Sequence, residues 1–201
     1  MIKLYQAPRT RSLRVLWLLE ELGLPFELVT IEYQPPATPF AQQTPSGKFP
    51  TLEDGATVMF ESGAIVEYLL ECYGQGRLGP RAGEPERGVF LQWLHFAEAT
   101  LLPPLVEILR HTLLKPEAER IPAVVADAKI RAAVTLEVLE RRLQDREYLL
   151  GTDYFTAADI MMGYGVQWAA AMGLLANSPN LRAYHERLSS RRALKKALEA
   201  T

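Results

Sequence analysis

Cys72 is the only cysteine in the 201 residues. A disulfide within the chain is therefore excluded, as are a Cys-x-x-Cys redox motif and a cysteine-based zinc site. Histidine is almost as scarce: His95, His111 and His185 stand far apart, without the spacing of metal ligands. Neither sign of charge is in excess. The 22 basic and 24 acidic side chains leave a formal net charge of −2, which argues against nucleic acid or an anionic membrane as the main partner. No run approaches the roughly 20 apolar residues of a membrane span, and residues 1–7 meet Pro8 too soon for a signal peptide. The expected compartment is the cytoplasm, with no metal. What is present is ordinary: 48% hydrophobic and 23% charged residues, enough for one large domain or two small ones.

Residues 1–76 mix strand and helix signals. Ile2-Lys3-Leu4-Tyr5 alternates with a period of two. Ser12 stands where an N-cap should, ahead of the apolar run 13–22; Gly23 is placed to end that helix and Pro25 lies beyond it. Residues 26–33 are rich in strand formers, and a loop with Pro35, Pro36 and Pro39 follows. Segments 51–53 and 57–60 flank Asp54-Gly55, a hairpin signal, and 62–72 reads as a second amphipathic helix. Glycine and proline then cluster between Gly76 and Gly88, which marks a domain boundary. Beyond it the pattern is helical. A long apolar stretch over 87–114 contains Pro103-Pro104, which predicts a kink or break. A one-faced helix follows, with apolar positions from Ile121 to Leu143 recurring near every 3.6 residues. Thr156 and Asp159 form a capping pair, with Phe155 placed to staple onto Ile160, and a further helix is expected over 181–188. The expected division is an α+β domain over 1–76, a linker over 77–85 and an all-helical domain over 86–201.

Four short motifs run through this frame: Ala7-Pro8-Arg9-Thr10-Arg11-Ser12-Leu13-Arg14, Ser46-Gly47-Lys48-Phe49-Pro50-Thr51-Leu52, Glu61-Ser62-Gly63-Ala64-Ile65 and Phe155-Thr156-Ala157-Ala158-Asp159-Ile160. In this order they resemble the glutathione transferase family. Segments 14–21 and 92–98 look most like its bacterial and fungal subgroup with a hydroxyl residue at the active position. The resemblance implies a thioredoxin-like N-terminal domain (βαβ-α-ββα) followed by an all-α glutathione-transferase C-terminal domain. It implies conjugation of the glutathione thiolate to a small hydrophobic electrophile, by a two-fold homodimer. Glutathione-dependent peroxide reduction on the same fold is one alternative, and a non-catalytic glutathione- or partner-binding module is another. Disulfide reduction normally uses a cysteine, and the turn around Thr10 has none.

The chemistry asks for a thiolate, because the thiolate is the nucleophile. Lowering a thiol pKa of about 8.5 by ~2 units means favouring the anion by roughly 2.7 kcal/mol. One hydrogen bond to a charged acceptor contributes about 1.5–3 kcal/mol, and a helix N-terminus roughly 0.3–1 more. One hydroxyl beside the first helix is enough in magnitude. In the resembled family that hydroxyl precedes the helix-1 arginine by four positions, so Arg14 points to Thr10, where relatives mostly carry serine; Ser12 is the second candidate. The resemblance gives Phe49-Pro50 a cis bond, with the Phe49 backbone pairing with the cysteinyl part of glutathione. Lys48 is then placed for the glycine carboxylate, unless it is a solvated surface lysine. Glu61 is placed for the γ-glutamyl ammonium, and Ser62 with the following helix N-terminus for its α-carboxylate. Glu98 is a candidate to reach the γ-glutamyl amine across a dimer interface, or simply part of a solvated helix face. Asp159 reads as a folding device, Cys72 as a small buried hydrophobe, and Trp93, Trp168 and Met161-Met162 as core or pocket wall.

Overall fold

A computed structural model describes residues 1–32, 47–151 and 153–200. The loop with Pro35, Pro36 and Pro39, and Ser46 of the second motif, lie outside the described residues. The alternating first residues form strand β1 (Ile2–Gln6), which buries Ile2, Leu4 and Gln6. It runs parallel to β2 (Phe26–Thr30) and antiparallel to β3 (Thr51–Asp54), and β3 pairs antiparallel with β4 (Thr57–Phe60). The sheet order is β2-β1-β3-β4. Parallel neighbours need a crossover, supplied here by helix α1 (Ser12–Leu22), and Gly23 ends α1 at φ 65° with its N–H on the Glu20 carbonyl, as expected.

Two local expectations shift. Ser12 is not the cap: it is the first helical residue, and Arg11 stands in the cap position. The hairpin turn is Gly55-Ala56 rather than Asp54-Gly55, because Asp54 still pairs with Thr57 and Gly55 takes φ 61°. The Asp54 carboxylate instead accepts the hydroxyls of Tyr68 (3.0 Å) and Tyr73. These come from helix α2 (Ser62–Leu69) and the π turn Leu70–Gly74 that continues it. The bond to Asp54 pushes the Tyr73 phenol up to about 12. Cys72 lies on the same turn and is exposed, not a buried hydrophobe. The turn buries Leu70 and Gly74 and leaves Cys72 outside.

The helical region begins with α3 (Arg87–Phe96) and α4 (Leu102–Leu109), joined by the π turn Ala97–Leu101 and followed by another, Arg110–Leu114. Pro103-Pro104 does not break this stretch. Proline removes the N–H groups that would bond one turn back, and the wider π turn just ahead accommodates the misfit. Arg87–Leu114 is long and apolar enough, by length and composition, to cross a membrane, which the sequence reading did not register. Its buried residues Phe90, Leu94, Leu101 and Leu105 belong to the core of the helical unit, where α3 packs on α6 (Ala157–Ala171) and α4 on α5 (Pro122–Arg142). Ile121, expected on the inner face of that helix, precedes Pro122 and is half exposed. Gly165 permits a close approach to the π turn ahead of α4: a Cβ there would lie 2.6 Å from Leu101 Cδ2. Helix α7 (Pro179–Ser190) completes the bundle.

The chain divides into two compact units, Met1–Arg81 with Ser189–Thr201, and Ala82–Leu188. Residues 189–201 lie with the first of these units. There helix α8 (Arg192–Glu199) packs on α1. The reason is electrostatic as well as apolar. Leu194 and Ala197 are buried, Arg191 holds Glu21 by two bonds of 2.6 and 2.9 Å, and Lys196 meets Glu20 at 2.6 Å. Gln6 adds a bond to the Ala200 carbonyl at the end of α8.

Asp159 is a folding device, as expected. Fully buried, it accepts the N–H of Thr156 (2.8 Å) and of Leu149 (2.9 Å), and the hydroxyls of Thr156 (3.0 Å) and Tyr184 (2.9 Å). Burial pushes its carboxyl upward, and those four donors act against the shift. Asp159→Ala leaves all four donors without their acceptor and is expected to destabilise the protein by about 3–5 kcal/mol. Denaturant titration checks this; a loss under about 1 kcal/mol would contradict the assignment.

Candidate active site

Sheet register gathers three of the motifs. Tyr5 pairs with Thr51, and Thr51 with Phe60. The end of β1, the start of β3 and the end of β4 therefore lie side by side, so the segments leaving or entering them share one edge. Those segments are the Thr10 turn, Phe49-Pro50 and Glu61-Ser62. Ala7 and Phe49 are both buried and pack together, with Tyr5 and Ile31 against them. The Phe49-Pro50 bond is cis, as the resemblance implied.

After β1 the chain turns through Arg9, held at φ 60°, into Thr10 and Ser12. Their hydroxyls lie 2.7 Å apart. The proton directions follow from the remaining contacts. Thr10 Oγ1 is 2.6 Å from the Ala7 carbonyl, which only accepts, so Thr10 donates there. Ser12 then donates its hydroxyl proton, and its N–H at 3.3 Å, to Thr10 Oγ1. Ser12 Oγ in turn accepts the Ala7 N–H at 3.4 Å. The result is a closed ring that begins and ends on Ala7. Ser12 is fully buried, whereas Thr10 is half-buried. Of the two hydroxyls, only the one on Thr10 belongs to a residue with surface access.

At the start of α2, Ser62 is buried and Glu61 is exposed. Glu61 has φ 75° and ψ 106°, a conformation that L-residues rarely adopt. Its carbonyl accepts the Ile65 N–H at 2.9 Å, so the strained residue also starts the helix. Arg14, one helical turn beyond Thr10, is completely buried and donates from Nη1 to Ser62 Oγ at 3.1 Å. The sequence reading used Arg14 only to locate Thr10 and missed this bond. The available signal was an arginine within an apolar run, Leu13-Arg14-Val15-Leu16.

Lys48 is exposed and adjoins Phe49. Glu98 lies on the π turn Ala97–Leu101 of the other unit, half-buried. Among the described residues no group of His, Cys, Asp and Glu has the arrangement of a metal site. The edge is suited to an extended, carboxylate-bearing ligand with one group needing a hydroxyl donor. It offers backbone beside a cis-proline, a helix N-terminus backed by a buried guanidinium, and a polarised threonine hydroxyl.

Comparisons with known proteins give the family. Residues 4–80 match the family model "Glutathione S-transferase, N-terminal domain", and 109–201 match "Glutathione S-transferase, C-terminal domain". Glutathione S-transferase 3 of Zea mays is 32% identical, over 99% of this chain and 94% of that protein. The disulfide-bond oxidoreductase YfcG of Escherichia coli is 28% identical, over 98% and 94%. The crystal structure of a glutathione transferase from Methylococcus capsulatus superposes with a TM-score of 0.88 at 28% identity, covering 100% of this chain and 98% of that one.

The strain at Glu61 has a measurable consequence. Glycine adopts positive φ without a Cβ penalty, and a strained residue of this kind costs of order 1–3 kcal/mol. Glu61→Gly is expected to raise stability by about 1 kcal/mol after the entropy of the added glycine is counted. A higher melting midpoint would show it; a midpoint below that of the wild type would place the strain elsewhere.

Proposed function

The chain belongs to the glutathione S-transferase family, and from that premise we propose that Thr10 holds the glutathione sulfur as a thiolate, with Ser12 behind it. The protein is a glutathione S-transferase that joins the thiolate to a second substrate. The finer reading is that this substrate is a small hydrophobic electrophile, as the resemblance supports, and that the protein works as a cytoplasmic homodimer with Glu98 reaching the γ-glutamyl amine of the partner's glutathione. In this reading Phe49 pairs its backbone with the cysteinyl part of glutathione beside Pro50. Lys48 meets the glycine carboxylate as a point charge, Glu61 takes the γ-glutamyl ammonium, and Ser62 with the α2 N-terminus takes the α-carboxylate.

The observation that carries the donor assignment is the 2.7 Å contact between the two hydroxyls. Ser12 supplies both its O–H and its N–H to Thr10 Oγ1, which leaves the Thr10 proton as the one available to an incoming anion. Polarisation along such a chain strengthens the last donor. Turning that proton from the Ala7 carbonyl to a sulfur exchanges a neutral bond of about 0.5–1.5 kcal/mol for a charged one of about 1.5–3 kcal/mol. The rest of the catalysis is proximity of the two bound substrates.

Disulfide chemistry is a second reading, favoured by the relationship to YfcG. The turn offers no cysteine, so that route would run through glutathione sulfurs alone. Turnover of aromatic halides, epoxides and isothiocyanates against organic peroxides and low-molecular-weight disulfides separates the readings.

The donor is tested by ultraviolet absorbance of bound glutathione thiolate as a function of pH. Thr10→Ala is expected to raise the thiol pKa by about 1–2 units, moving the acid limb of the rate profile to higher pH by the same amount. Thr10→Ser should keep the wild-type profile, and Ser12→Ala should move it by less than Thr10→Ala. Full activity in Thr10→Ala with none in Ser12→Ala would reverse the assignment.

A further inference from the structure

We infer that Arg14 is a positioning residue for glutathione: it fixes the Ser62 hydroxyl, and through it the γ-glutamyl α-carboxylate. This rests on the glutathione site set out above. The motifs assigned that carboxylate to Ser62 and a helix N-terminus, both neutral groups. The structure adds a full positive charge behind them.

Arg14 is fully buried and Ser62 is only 3% exposed, and Nη1 of the one donates to Oγ of the other at 3.1 Å. Arginine keeps its charge even when buried, so the pair is a charged donor on a hydroxyl in a place that water does not screen. A serine oxygen has two lone pairs and one proton. Arg14 occupies a lone pair, which turns the hydroxyl proton away from the guanidinium and toward an acceptor on the other side. The acceptor that fits is an anion at the N-terminus of α2, where the first N–H groups of a helix have no intrahelical partner. Arg14 itself, completely buried, acts on that anion through Ser62 and by its charge.

The position of Arg14 links the two halves of the site. It lies in the first turn of α1, four residues beyond Thr10 in the turn that leads into that helix, while its bond spans 48 residues to reach Ser62. The guanidinium thus ties the helix that presents the thiolate donor to the helix that holds the other end of the same ligand. A shift of Ser62 would move the γ-glutamyl anchor relative to Thr10, and proximity is sensitive to such errors.

The experiment compares glutathione with 4-aminobutyryl-cysteinyl-glycine, which lacks only the γ-glutamyl α-carboxylate. Affinity by calorimetry and KM and kcat by turnover are measured for wild type, Arg14→Gln, Arg14→Lys, Ser62→Ala and the double variant Arg14→Gln with Ser62→Ala. For glutathione, Arg14→Gln is expected to raise Kd and KM about 10-fold or more, with kcat changed less than KM. With the decarboxylated peptide, Arg14→Gln and wild type should differ by less than about 2-fold. The double variant should lose no more than about 3-fold beyond the worse single variant. Arg14→Lys, which keeps the charge, should fall between wild type and Arg14→Gln, and it carries the comparison if Arg14→Gln does not fold. An equal loss with both peptides, in whichever variant folds, would make Arg14 a purely structural residue and overturn the proposal. So would an unchanged affinity for glutathione. If the wild-type protein itself bound no glutathione at millimolar concentration, it would be the glutathione site that fails, and Arg14 with it.

Discussion

The alignment of Tyr5, Thr51 and Phe60 across three neighbouring strands is the constraint on which the site depends. A strand register admits no half-steps, because a slip of one residue turns every side chain to the opposite face. The register seen here brings the end of β1, the start of β3 and the end of β4 to one edge. The three motifs are far apart in sequence, but each adjoins one of these strand ends. Packing of Ala7 on Phe49 then closes the gap between the first two, and the Arg14–Ser62 bond ties in the third.

Within that edge the polar groups are arranged in depth. Ser12 and Arg14 are buried, and each is bonded to another hydroxyl, Ser12 to that of Thr10 and Arg14 to that of Ser62. The same device is used twice, a neutral donor behind Thr10 and a charged one behind Ser62. The difference follows the ligand groups assigned to them, a sulfur whose ionisation must be induced and a carboxylate already ionised at neutral pH. The helical unit has a separate anchor. Asp159 collects four donors from Leu149, Thr156 and Tyr184, which joins the start of α6 to α7 and to the chain ahead of α6.

Much of the fold was legible because its signals are local. Gly23 ends a helix by its own positive φ, and the Thr156–Asp159 pair closes over three residues. The strand alternation of residues 2–5 needs no partner to be recognised. Where a local sign was overridden, a competing interaction can be named. Asp54 was read as a turn residue, but two tyrosine hydroxyls hold it at the end of β3. Pro103-Pro104 was read as a kink or break, but a π turn just ahead carries the helical stretch past it. Cys72 was read as buried from its residue type, whereas its place on the outside of a π turn exposes it.

By itself the sequence determined the strand and helix pattern, the capping devices and the set of residue types available for thiolate chemistry. Tertiary structure alone decided which of two neighbouring hydroxyls belongs to a residue with surface access, which arginine is bonded to Ser62, and which unit receives the last helix. The reason is range. A cap or an alternation is complete within a few residues, but Arg14 meets Ser62 across 48 positions and Arg191 meets Glu21 across 170. Such pairs carry no mark in either residue's neighbourhood; they exist only once the sheet and helix α1 have brought them together.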